Sequence, residues 1–233
     1  QSVELRHAVI HCAAAWSPYG TTIEYLRTTN LLPPLLSHVV QQSTFDPASS
    51  LLSSALTTTD MRGDVVDDAT SSLLLRCVGS LTAAFVGALA SDTDQEKFCV
   101  SISRLVSEML LATMDYVSHS DGRGMASSAD LLSLAVRCTA CRRYPAVSVL
   151  QTEVWERLAE LESRPLQLRT PLFTQLLRAV VHRTSYETSD DGTRVVAHHG
   201  RGGEEEEESL QLYRRRDAPT LLELCFRETR QEV

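Results

Sequence analysis

Few residues in this chain stand at spacings that could do chemistry. His7 and His11 lie four apart in HAVIH, so both imidazoles would share one helix face and could hold a zinc ion. The internal glutamate of a metalloprotease helix is missing, however, and no third ligand is evident, so the pair reads as structural. Cys138 and Cys141 frame CTAC with no second cysteine pair and no strand beside them for redox chemistry, which makes them two small hydrophobes on a core face. GRGM (122–125) and GRGG (200–203) lack the strand-before, helix-after setting of a phosphate loop, and no Gly-Lys-Ser/Thr follows either. No serine, cysteine, histidine and acid combination is spaced to assign a nucleophile and a base. The expectation is a protein that is not an enzyme and uses no cofactor or metal.

The densest charge lies in HHGRGGEEEEESLQLYRRRD, residues 198–217, where Glu204, Glu205, Glu206, Glu207 and Glu208 precede Arg214, Arg215 and Arg216. Five adjacent carboxylates repel and cannot all be buried. With Gly200, Gly202 and Gly203 before them, one reading is a solvated, flexible acidic loop over 188–209. The other is an anionic patch that engages a basic surface and speeds encounter. The arginines fit a tether for the glutamates, a helix-end cluster or a contact for an acidic cargo, and the sequence does not rank the three. A net charge of -8 with a pI near 5.4 argues against a general nucleic-acid binder and favours basic partners.

The elements that must position these residues read as helices. Leu5, Val9, Cys12 and Trp16 recur at spacings of four, three and four, with Pro18 and Gly20 ending that helix. Pro33 and Pro34 suit a first helical turn before Leu35, Leu36, Val39 and Val40; Asp46-Pro47 reads as an N-cap and first position before Leu51, Leu52, Ala55 and Leu56. From Asp64 to Ala90 the chain is apolar on several faces, with Gly79 and Gly87 as candidate bends. A helix from about Asp94 carries Phe98, Ile102, Leu105, Met109 and Tyr116. Leu131, Leu134 and Cys138 begin another that Pro145 interrupts; Val147–Leu161 and Phe173–Tyr186 add two, and a last starts near Asp217.

Alternating strands are missing, so the fold class is all-α, with about eight to ten helices over one run. Short connections fit either a bundle or stacked pairs of HEAT type. Trp16 and Trp155 each sit in an apolar stripe, where a large ring most often locks one helix onto its neighbour. Six dispersed cysteines suit a reducing compartment. The run Cys77–Ala90 falls short of the roughly 20 residues that span a bilayer, and no basic-then-apolar leader opens the chain, so neither membrane nor secretion is expected. Starting at Gln1 and ending inside a helical pattern, the chain reads as a piece of a longer protein.

The order of several motifs resembles the middle of the transportin-SR branch of the importin-β (karyopherin-β) superfamily. CAAAWSPYG is similar to that family's Cys, Trp and Gly pattern at a helix end, carried by Cys12, Trp16 and Gly20. SRLVSEMLLATMDYV resembles its arginine-apolar-apolar-x-glutamate helix through Arg104 and Glu108. In LLSLAVRCTACRRYPAVSVLQTEVWERLAEL, a leucine-rich helix meets a proline turn at Pro145 and a core at Trp155 and Leu158, with Val154 where the family has an aromatic. An acidic linker then leads to LQLYRRRDAPTLLELC, with Tyr213 and Arg214 in register. Thr44–Asp64 looks expanded, and Pro219 falls in the expected first turn of the last helix.

The resemblance implies a right-handed superhelix of antiparallel HEAT helix pairs, about four to five of them here, with Trp16, Trp155, Leu158 and Tyr213 as structural core. It also implies a receptor that shuttles between nucleus and cytoplasm. Its partners would be Ran-GTP, a protein cargo of Arg/Ser-rich or basic character, and nucleoporin Phe-Gly repeats. The implied contact for the basic face of Ran is Glu204 to Glu208. The alternative is a HEAT or armadillo-like scaffold subunit with no Ran cycle.

Overall fold

Short polar side chains, turns and prolines decide where the helices begin and end. In the computed structural model, the described residues are 3–16, 20–39, 44–62, 66–114, 125–160, 166–184, 187–188, 194–195 and 203–230. The side chains of His7, His11, Trp16 and Glu204 to Glu207 are outside that description, as is Tyr116. Helix α1 spans Val3–Trp16. Thr22 caps α2 (Ile23–Thr28), its hydroxyl accepting the Tyr25 N–H at 3.2 Å. Asn30 ends α2 in the left-handed region (φ 59), which lets Asn30 N–H reach the Arg27 carbonyl and Leu31 N–H the Leu26 carbonyl. Helix α3 (Leu32–Val39) then accommodates Pro33 and Pro34 in its first turn, where their missing N–H groups have no intrahelical partner to lose.

Helix α4 (Phe45–Arg62) takes Asp46 into its first turn, so the helix begins one residue before the expected cap. Asp67 caps α5 (Asp68–Leu75) by accepting the Thr70 N–H at 2.8 Å, and that bond together with the Thr70 hydroxyl holds its carboxyl below the ordinary range. Helix α6 is Val78–Ala90; Gly79 and Gly87 lie within it, and the interruption falls at Arg76–Cys77. Taken together, Asp68–Ala90 has the length and mean hydropathy (1.8) to cross a bilayer, with 39% of that window buried. Helix α7 is Glu96–Ala112.

Two compact units divide the chain at Ala135/Val136. In the first, α4 is central and packs against α1, α2, α3 and α7, while α6 packs on α7. The α4 face is Ala48, Leu51, Leu52, Ala55 and Leu56, and the α7 face is Cys99, Ile102, Leu105, Val106 and Met109, all buried at i, i+3, i+4 and i+7 spacings. Phe45 meets Phe98 edge-on, with centroids 4.6 Å apart. Thr59 ties α4 to the start of α2: its hydroxyl accepts the Ile23 N–H at 3.0 Å and donates to the Ala55 carbonyl at 2.7 Å. The expected α1 stripe is displaced. Val9 is 53% exposed and Cys12 is exposed, whereas Ile10 is buried. Two adjacent aliphatics left two faces open to a period of 3.6, and the tertiary contact selects the one through Ile10.

The α4–α7 interface holds a partly buried acid. Ser53 donates to the Glu108 carboxylate, and burial raises the Glu108 pKa while Ser53 and Arg104 oppose the rise. A carboxyl with a raised folded pKa stabilises most below its unfolded value of 4.5 and loses that contribution as pH climbs through the folded value. Glu108→Gln keeps an acceptor for Ser53 and removes the charge. Urea titrations are expected to show it at least as stable as the parent at pH 7, with the advantage shrinking as pH falls through the raised folded value and gone below 4.5. A clear loss of stability at pH 7 would contradict this reading.

In the second unit the helices are the end of α8 (Met125–Thr139), α9 (Pro145–Val149), α10 (Thr152–Glu160), α11 (Leu166–Thr184) and α12 (Gly203–Arg230). The expected single helix over Val147–Leu161 is split at Leu150–Gln151. A short antiparallel bridge joins β1 (Glu187–Thr188) to β2 (Arg194–Val195). Apart from that bridge the described residues are helical or connecting, so the fold is all-α.

Candidate functional site

Helix α12 carries the dense charge identified in the sequence. It begins at Gly203, not near Asp217, so Glu204 to Glu208 form its first turns instead of ending a loop, and Pro219 lies in its interior. The physical reason is local. Glutamate is a good helix former and is favoured where the positive end of the helix dipole offsets its charge. The apolar stripe that starts at Tyr213 is also continuous through Ala218, Leu221, Leu224 and Cys225, so no break is needed at Asp217. Pro219 removes one backbone donor on the exposed side, a loss a long packed helix tolerates with a bend.

That stripe packs α12 against α9, α10 and α11. At its head, Tyr213 is fully buried beneath the Arg183 guanidinium, which lies 4.3 Å from the ring centroid. Arg183, itself fully buried near the end of α11, donates to the Cys141 carbonyl and, at 3.4 Å, to the Pro145 carbonyl. Arg214 Nε donates to the Thr184 carbonyl at 3.2 Å, covering the end of α11. One guanidinium thus fastens α11 to the Cys141–Pro145 turn and, through the ring, to α12. Its Nε and the Tyr213 hydroxyl oxygen are buried without a hydrogen-bond partner. Burial pushes the Tyr213 hydroxyl up to about 12 against the opposing pull of Arg183. Asp217 is also raised, by burial first, with Arg216 and Arg183 opposing.

Trp155 is buried on α10, and its indole N–H donates to the Thr139 hydroxyl at 2.9 Å; Leu158, one turn on, is buried beside Val154. Pro145 stands at the start of α9, where its fixed φ suits the first turn. Arg104 is exposed on α7 and Glu108 faces Ser53. Of the acidic tract, Glu208 is exposed. Trp16 lies at the end of α1, with its side chain outside the described residues.

Five of the six thiols are placed as packing elements. Cys77, Cys99, Cys138, Cys141 and Cys225 are buried free thiols and Cys12 is exposed; burial raises Cys77 and Cys225 to about 12 and also raises Cys141. His38 Nδ1 lies 3.3 Å from the Thr44 hydroxyl, but that hydroxyl donates to the His38 carbonyl at 2.9 Å, which makes the buried pair a tie between the end of α3 and the start of α4 and not a base with its nucleophile. No group of three or more His, Cys, Asp or Glu is placed to hold a metal among the described residues. Arg183 is the residue that sequence reasoning missed. Its only signal was an arginine in phase with the apolar positions Phe173, Leu176 and Val180.

The class that this arrangement defines is an all-helical protein whose densest run of charge lies on one long helix. No family model matches the chain, and none of the curated proteins matches it in sequence.

Proposed function

We propose that this chain is a segment of a nucleocytoplasmic transport receptor, in which stacked HEAT-type helix pairs form a right-handed superhelix that binds protein cargo and Ran-GTP. The observation that carries this reading is the later part of the ordered set of motifs, whose anchors fall in one unit: Pro145 opens α9, Trp155 and Leu158 are buried on α10, and Tyr213 is buried on α12. The expected contact for a basic partner is the acidic first turns of α12, Glu204 to Glu208. Five carboxylates within the first turns of one helix make a local concentration of negative charge, which favours fast, salt-dependent encounter with a basic surface.

The mechanism is linkage. Ran-GTP and cargo favour different curvatures of the stack, so each alters the affinity of the other by the same factor. Cargo of Arg/Ser-rich or basic character matches the acidic balance of the chain, and nucleoporin Phe-Gly repeats complete the set of partners for a receptor shuttling between nucleus and cytoplasm. The test is to titrate the complete protein with Ran loaded with GTP or GDP. Selective binding of the GTP form supports the reading, and equal or no binding points to a HEAT or armadillo-like scaffold with no Ran cycle.

A further inference from the structure

The outward face of α12 is patterned to receive another helix. Glu208, Leu212, Arg215, Arg216 and Pro219 are exposed at i, i+4, i+7, i+8 and i+11, with Leu212 60% exposed. Arg214 is turned away to the end of α11, which leaves Arg215 and Arg216 as the outward cations. Neither joins an acid in an ion pair among the described residues. Acid lies on the N-terminal side of Leu212 and base on the C-terminal side, a polarity that is complementary to its own reverse.

We propose that this face pairs with the same face of a second copy of the chain, with the two α12 helices antiparallel about a two-fold axis at Leu212. In that register position 208 opposes 216, position 209 opposes 215, and Leu212 meets its own copy. Each Glu208 then faces the other copy's Arg216, with positions 204 and 205 one turn further along as added negative charge. A parallel arrangement would set acid against acid and base against base, so charge selects the antiparallel one. A two-fold axis makes the contact isologous and closed, so the product is a dimer and not a filament. The helical overlap, residues 203–221, is about 28 Å long at 1.5 Å per residue. One helix pair of that length falls short of the roughly 1,200 Å² typical of a stable interface, so the dimer is weak and sensitive to salt. It also covers Glu204 to Glu208, so dimerisation and capture of a basic partner compete. The pairing itself does not rest on the transport reading.

Sedimentation velocity on the complete protein, across concentration and at roughly 50 and 500 mM salt, tests this. The expected result is a monomer–dimer equilibrium that weakens about tenfold or more in the higher salt. Arg215→Glu/Arg216→Glu and Glu205→Lys/Glu208→Lys should each be monomeric alone, yet dimerise when mixed; Glu208, Arg215 and Arg216 are exposed, so the packed face is left unchanged at those positions. Leu212→Asp should be monomeric in every mixture. A parent that stays monomeric at low salt, a dimer that survives these substitutions, or a mixture that fails to restore association would each overturn the proposal.

Discussion

Trp155→Ala should cost roughly 3–5 kcal/mol, the range for deleting a fully buried large aromatic whose site cannot collapse. For a chain of this size that is on the order of a 10 °C fall in Tm. Two effects add. The indole fills the space between α10 and the end of α8, and its N–H makes the bond to Thr139. Trp155→Phe separates them: it retains most of the ring area and deletes the donor, for an expected loss of about 1 kcal/mol. Equal destabilisation by the two variants would mean that the hydrogen bond, not the volume, dominates. Either outcome is read from urea or thermal unfolding of the parent and both variants side by side.

Arg183→Ala is the second large effect. The guanidinium supplies two buried carbonyls with donors and covers the Tyr213 ring, so its loss should cost on the order of 2–4 kcal/mol. A buried cation without a carboxylate partner also carries a desolvation penalty, and burial indeed lowers the Arg183 pKa. Arg183→Met, which refills the volume without the charge, should therefore cost less than Arg183→Ala. Tyr213→Phe removes a hydroxyl whose oxygen has no hydrogen-bond partner and should be close to neutral at pH 7. The parent should lose stability as pH rises from about 10 toward 12, because the phenol must ionise more readily unfolded than folded. Tyr213→Phe should flatten that decline, and an unchanged alkaline profile would show that Tyr213 is not its source.

How much of this was legible in the sequence depended on periodicity. Ile102, Leu105 and Met109 named their helix and its inner face because they recur at helical spacing, and all three are buried. Val9 and Ile10 show the reverse, since adjacent aliphatics define two faces and only packing chooses. The acidic tract misled for a different reason. Glycines and repulsion read as loop, but helix propensity, the dipole and the stripe beginning at Tyr213 carry the helix back to Gly203. Arg183 was illegible because an arginine at a core position looks like a solvated end residue until the carbonyls of the Cys141–Pro145 turn are seen beneath it. Trp155 and Tyr213 could be read as core from their stripes, but their partners Thr139 and Arg183 lie 16 and 30 positions away in sequence and emerge only in three dimensions.

These packing results matter for function because they fix α12 at its middle and leave Glu208, Leu212, Arg215 and Arg216 to solvent. The proposed role of Glu204 to Glu208 is to bind a basic partner in a nucleotide-dependent way. Its most direct test is the affinity of Ran-GTP for the complete protein with Glu204 to Glu208 intact and with all five changed to glutamine, measured at low salt. Glutamine preserves helix propensity and removes only charge. Binding of the GTP form is expected to weaken at least about tenfold in the glutamine variant, with the difference shrinking as salt rises. Unchanged affinity at low salt would contradict it.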